Sequence, residues 1–154
     1  MRNTVEIISY KDKYATAFKD LNIEWLEKYF YVEDHDTEVL NNAKTYIIDN
    51  EGYIFFALVD GNVAGTVALM NEPEGYELSK MAVSPDFQGL KIGQQLMQYC
   101  IDFAKDKNWD KLLLYSNTVL ENAIYIYRKY GFEEVDLEKN GPYQRGNIKM
   151  VLKL

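Results

Sequence analysis

At 154 residues and 18.0 kDa the chain has the length of one domain with a single well-formed core. Its 47% hydrophobic and 27% charged residues are ordinary for a soluble globular protein, no apolar run approaches membrane length, and Met1-Arg2-Asn3-Thr4 lacks the apolar core of a signal peptide, so a cytoplasmic protein is expected. A net charge of -7 argues against a basic nucleic-acid-binding face, a single cysteine (Cys100) excludes an intrachain disulfide, and a single histidine (His35) excludes a histidine-rich zinc site.

Thr4 to Tyr10 is β-branched and apolar, hence an opening strand. Tyr14, Phe18, Leu21, Trp25 and Tyr29 then recur at helical spacing, which predicts an amphipathic helix over 12–29. The next residues are aromatic and then acidic, a loop, and a second helix is predicted from about Thr37 to Asp49. Three apolar runs follow, Tyr53 to Val59, Val63 to Met70 and Tyr76 to Val83, joined by turns at Asp60-Gly61-Asn62 and at 71–75. They read as an antiparallel meander.

From Ile92 the residues Leu96, Met97, Cys100, Ile101 and Ala104 fall on one helical face, and Leu112 to Tyr115 is a buried strand. That strand, helix and strand make a parallel crossover unit with the Tyr76 run. Cys100 is expected to be a small core residue. A short helix over 122–130 ends at Gly131, a strand begins at Phe132, and after a turn at 139–142 a terminal strand spans 147–154.

The crossover places the loop Gln88-Gly89-Leu90-Lys91-Ile92-Gly93 at the carboxyl end of a strand and the start of a helix. Unpaired first-turn amides and the positive end of the helix dipole suit such a loop to phosphate, although many strand-to-helix turns use glycine only to turn. Neither Gly-Lys-Ser/Thr nor GxGxxG occurs here, so a P-loop and a dinucleotide fingerprint are both excluded by spelling.

The loop, the preceding Glu77 to Val83, and Asn122-Ala123-Ile124-Tyr125-Ile126-Tyr127-Arg128-Lys129-Tyr130-Gly131-Phe132 together resemble the GNAT family of N-acetyltransferases. The likeness runs from first strand to last. It implies the GNAT acyl-CoA N-acyltransferase fold, an α/β (α+β) arrangement with a central, mixed, mostly antiparallel sheet flanked by about four helices in one domain over residues 1–154. The family loop is written Q/R-x-x-G-x-G/A; Gln88 and Gly93 match, and Lys91 stands where the middle glycine is expected. Trp25 to Phe30 with Glu33 and Asp36, Ser116-Asn117 with Leu120, and 143–150 further resemble bacterial members similar to the acetyltransferase half of winged-helix fusions.

The resemblance implies acetyl-CoA as cofactor and direct attack on it by a primary amine of a small molecule, amino acid derivative or peptide. An alkylamine with a pKa of about 10.4 is protonated at neutral pH and needs a base or a water chain. Glu77 stands where some relatives place that base, or a carboxylate that only holds a water or the ammonium. Tyr127 stands where relatives keep a tyrosine near the coenzyme sulfur, as acid or hydrogen-bond donor; the alternative is a packed core tyrosine. Met81, Ala82 and Val83 are implied for the pantetheine arm and thioester oxygen, and Gln88, Gly89, Leu90, Lys91, Ile92, Gly93 and Gln94 for the pyrophosphate. Asn117 and Asn122 would flank the sulfur, unless Asn122 is only a helix cap. Lys91 is either a phosphate contact or a solvated charge.

The acceptor pocket is expected from Trp25, Tyr29, Phe30, Tyr31, Glu33 and Asp36, with Tyr143 and Arg145. Aromatics and carboxylates suit an ammonium, while Arg145 suits a substrate carboxylate; the acidic stretch would otherwise be a solvated loop. A noncatalytic acyl-CoA-binding module is the competing reading. No metal, nucleic-acid or membrane partner is expected, and exposed edge strands suit a homodimer.

Overall fold

Alternation along one strand sorts the molecule into two cores. In Tyr53–Val59, Phe55, Ala57 and Val59 are buried in one cluster and Ile54, Phe56 and Leu58 in another. A strand covered on both faces must be apolar at successive positions, because its side chains alternate between the faces. The computed structural model describes residues 4–87, 89–138 and 145–154. Its elements are β1 (Val5–Ser9), α1 (Ala15–Tyr29), α2 (Asp34–Asn41), β2 (Tyr53–Val59), β3 (Asn62–Glu72), β4 (Gly75–Val83), α3 (Ile92–Asp106), β5 (Lys111–Ser116), α4 (Glu121–Lys129), β6 (Glu133–Val135) and β7 (Ile148–Lys153).

The seven strands form one sheet in the order β1-β2-β3-β4-β5-β7-β6. β1 to β4 are an antiparallel meander, β4 and β5 pair in parallel, and β7 lies antiparallel between β5 and β6. This is the mixed, mostly antiparallel sheet with flanking helices expected from the sequence. α3 covers one face, burying Leu96, Met97, Cys100 and Ile101 with Phe55, Val67 and Leu69. Its approach is close: a Cβ on Gly65 would lie 2.9 Å from Ile92 Cγ2, which explains a glycine in the middle of β3. Phe18 and Leu26 of α1, with Val39 and Leu40 of α2, cover the other face. Cys100 is fully buried, and burial pushes its thiol well above the ordinary range.

The second helix differs from the sequence expectation. It starts at Asp34 rather than about Thr37 and stops at Asn41, and a single π-helical turn over Lys44–Ile48 replaces its second half. The early start has a local cause: Glu33 and Asp36 form a reciprocal capping box, with the Glu33 amide donating to Asp36 Oδ2 at 2.9 Å. Acidic residues that read as a loop are thus the first turn of α2. The expected turn at 139–142 lies outside the described residues. Among the described residues no helix is long and apolar enough to cross a membrane.

Candidate active site

The sheet opens at its one parallel junction. β4 and β5 are paired only at Tyr76↔Leu112 and Glu77↔Leu113, although β4 continues to Val83 and β5 to Ser116. The β3–β4 register shows why they part. Thr66 pairs with Ala82 and Ala68 with Ser79, so Lys80 and Met81 together oppose Val67 alone. This is a β-bulge, and Lys80 sits in it at φ 54°. Beyond Glu77 the edges of β4 and β5 therefore face a cavity of about 350 Å³ instead of each other.

Glu77 projects from the point of divergence and lines this cavity. Burial, helped by the Glu72 charge and opposed by Lys80, raises its carboxyl from an ordinary 4.5 to about 7. A carboxylate so tuned can take a proton near neutral pH. Tyr127 lines the same cavity from α4, and burial raises its phenol above the ordinary value. Its placement is local in origin. Gly131 adopts φ 103° just past α4, the Phe132 amide donates to the Tyr127 carbonyl at 3.0 Å, and the Gly131 amide to that of Arg128. These are the two bonds of a Schellman motif, which sets Phe132 against the Tyr127 ring at 6.1 Å. Among the described residues the Tyr127 hydroxyl makes no hydrogen bond, which leaves its proton available on the cavity side.

Tyr115 also places a phenol in the cavity wall, and its proton is committed. The hydroxyl donates to Glu138 at 2.9 Å, and burial together with that carboxylate pushes the phenol up to about 12. The buried Lys149 ammonium in turn bridges Glu138 and Glu74.

The glycine loop closes against the end of β4. Gly89 has φ 88°, and Lys91 adopts the left-handed conformation, φ 55° and ψ 36°, as the residue that caps α3. The lysine thus takes a backbone shape that suits a glycine better, at an intrinsic cost of roughly 1–2 kcal/mol. Its carbonyl accepts the first bond of α3 from the Gln95 amide, which leaves the first-turn amides without an intrahelical acceptor. A Cβ on Gly93 would meet only ordinary neighbours, Met81 Sδ at 3.6 Å and Val83 Cγ2 at 3.8 Å, so the protein interior does not demand a glycine there. The room it leaves, beside amides directed outward and the unpaired edge of β4, fits an extended phosphate-bearing ligand.

The acceptor residues divide. Trp25, Tyr29 and Phe30, from the carboxyl end of α1 and its cap, line the cavity, with Trp25 centred 5.3 Å from Tyr29 and 5.8 Å from Phe30. Tyr31, Glu33 and Asp36 do not line it. Asp36 is fully buried and grips Arg145 with both oxygens at 2.7 Å, Lys80 Nζ lies 3.2 Å from its Oδ1, and Arg145 Nη1 also donates to Glu33 at 2.8 Å. Burial alone would raise the Asp36 carboxyl. The Arg145 bonds, the Glu33 amide and the Lys80 charge outweigh it and hold the group ionised below its ordinary range. The expected ammonium-binding carboxylates are therefore ion-paired inside the protein, and Arg145 reaches the cavity already paired. The physical reason is the bulge, which brings Lys80 onto the α2 side.

Met81, Ala82, Val83 and Asn117 line the cavity; Asn122 is exposed in the first turn of α4 and does not. Asn117 is occupied on both ends, donating to the Arg145 carbonyl and accepting from the Val119 amide at 2.9 Å. Gln88 and Tyr143 fall outside the described residues. Sequence reading passed over Lys80, Tyr115 and the buried Asn22, which also line the cavity. Lys80 carried a signal, a charge inside a largely apolar strand-like run; the other two carried none.

Residues 19–132 match the acetyltransferase (GNAT) family. Among curated relatives, the camello N-acetyltransferase of Xenopus tropicalis is 27% identical over 104 residues, 66% of this chain and 48% of its own length. An N-acetyltransferase of Dictyostelium discoideum is 36% identical over 78 residues, 51% and 36% of the two lengths. The chain thus spans about half or less of the length of these two relatives. A GNAT acetyltransferase of Staphylococcus aureus Mu50 superposes with a TM-score of 0.84 at 23% identity, covering 97% of this chain and 99% of its own. A GNAT acetyltransferase of Elizabethkingia anophelis with acetyl-CoA bound gives 0.71 at 22%, over 99% and 100%. PaiA N-acetyltransferase of Thermoplasma acidophilum in complex with coenzyme A gives 0.77 at 18%, over 98% and 99%. With the family match spanning most of its length and its fold shared with these structures, the chain belongs to the acetyltransferase (GNAT) family.

Proposed function

We propose that the chain is an acetyl-CoA-dependent N-acetyltransferase that acetylates a primary amine of a small molecule, amino acid derivative or peptide. The observation that carries this reading is the meeting of Glu77, tuned to about 7, and the Tyr127 hydroxyl in the one cavity where β4 and β5 part. Solved relatives that hold acetyl-CoA or coenzyme A support the cofactor.

The outward amides around Gly89 to Gln94 hold the pyrophosphate, and the open edge of β4 from Met81 to Val83 orients the pantetheine arm and offers donors to a carbonyl oxygen. Bound acetyl-CoA supplies the activated acyl carbon and a thiol leaving group. Glu77 accepts the proton of the incoming ammonium, directly or through a water. Tyr127 keeps its proton at Oη up to high pH, poised for a developing anion at its end of the cavity. Trp25, Tyr29 and Phe30 cover the acceptor and exclude water. The likeness to acetyltransferase halves of winged-helix fusions supports a bacterial type of enzyme and names no acceptor.

Free-thiol release from acetyl-CoA in the presence of a panel of primary amines tests the reading. Amine-dependent release supports it. Tight acetyl-CoA binding without turnover on any amine would leave a noncatalytic acyl-CoA-binding module instead.

A further inference from the structure

Three charged residues line the cavity among the described residues: Glu77, Lys80 and Arg145. The two cations are already balanced, Arg145 against Asp36 and Glu33, and Lys80 against Asp36. Two carboxylates against two cations make that cluster neutral as a unit, and Asp36 at its centre is fully buried. Three of the five guanidinium donors of Arg145 are spent on Asp36 and Glu33, so a substrate carboxylate would meet a cation whose charge is already compensated. A second substrate ammonium would find no further carboxylate among the described residues that line the cavity. Glu77 remains as the single site for a single ammonium.

Much of the remaining lining is apolar: Trp25, Leu26, Tyr29 and Phe30 come from the carboxyl end of α1 and its cap, and Leu120 and Ala123 from the start of α4. Tyr29 both lines the cavity and keeps 46% of its surface exposed even though it packs on Trp25, so it is not fully covered by the protein.

We infer that the acceptor is a monoamine with an aromatic or branched apolar body, a single positive charge and no carboxylate on the carbon bearing the nitrogen. This deepens the acetyltransferase reading and rests on it. The ammonium goes to Glu77, and the body lies on Trp25, Tyr29 and Phe30. In the transfer the amine nitrogen forms the new C–N bond, the thioester C–S bond breaks, one amine proton leaves through Glu77, and the thiol carries away the other.

The test compares kcat/KM for 2-phenylethylamine, ethylamine, spermidine, phenylalanine and phenylalaninamide by thiol release from acetyl-CoA. The expected order puts 2-phenylethylamine and phenylalaninamide about 10- to 100-fold above ethylamine, spermidine and phenylalanine, the range that one set of apolar contacts or an unmatched charge spans. Trp25→Ala should raise KM for 2-phenylethylamine about tenfold or more while leaving that for ethylamine nearly unchanged. Spermidine or phenylalanine equalling 2-phenylethylamine would overturn the inference and leave the acetyltransferase standing. No thiol release with any of the amines would overturn both.

Discussion

Replacing Glu77 by glutamine separates what this carboxyl does for the reaction from what it costs the fold. Its folded pKa of about 7 lies some 2.5 pH units above the ordinary 4.5. At about 1.36 kcal/mol per unit the gap amounts to about 3 kcal/mol, and to about 1–2 kcal/mol after allowing for solvent at the open cavity. The sign follows from proton linkage. Between the two values the folded state holds a proton that the unfolded chain has lost, so the contribution of Glu77 to stability is greatest below pH 4.5 and falls as pH rises to about 7. A side-chain amide at this position has no proton to lose. Glu77→Gln should therefore match the parent near pH 4 and be the more stable of the two at pH 8, by that same margin of about 1–2 kcal/mol in urea unfolding. Activity should move the opposite way. The parent kcat/KM should rise through a limb near pH 7 as Glu77 ionises, and the variant should lose both the limb and about 10²–10⁴ of the rate. A variant that keeps the limb, or that unfolds more easily than the parent at pH 8, would refute the assignment of Glu77 as a strained base.

Tyr127→Phe should lower kcat about 100-fold with acetyl-CoA affinity unchanged in calorimetry, and an unaltered kcat would remove the hydroxyl from the reaction. Lys91→Gly relieves a left-handed lysine and should raise the thermal midpoint by a few degrees, the equivalent of about 1 kcal/mol; a lower midpoint would mean that the side chain stabilises the loop. Asp36→Asn breaks a buried ion cluster and should cost about 3–5 kcal/mol in urea unfolding, whereas a loss under about 1 kcal/mol would show the cluster to be solvated. Cys100 should react with a thiol reagent only at the rate of unfolding, measured in a denaturant series; prompt reaction in buffer would contradict its burial.

What the sequence disclosed and what it hid divide by range. The meander, the crossover and α3 rest on alternation and helical periodicity, which are local, and they stand within a residue or two of their expected bounds. Tyr127 was singled out by the family resemblance, and it lines the cavity from the place that the nearby Gly131-Phe132 pair gives it. The beginning of α2 was misjudged because Glu33 and Asp36 cap a helix, and acidic residues at a helix start look like those of a loop. The bulge at Lys80 was invisible: it is a mismatch between two strands, and neither strand carries its signature alone.

Asp36 and Arg145 show most plainly why site chemistry cannot be read from residue type. Aspartate, glutamate and arginine near an active site invite assignment to the substrate, and nothing within a few residues of Asp36 says that its partner stands 109 positions further on. Their pairing follows from the bulge. Once Lys80 turns toward α2 at φ 54°, a buried ammonium and Asp36 lie together, and Arg145 completes the balance that two carboxylates require. The bulge that opens the seam between β4 and β5 and the ion cluster around Asp36 are thus joined through Lys80. A Lys80→Gly change would ease the backbone and strip the cluster of a cation at once, so the charge of this lysine offsets the cost of its left-handed turn.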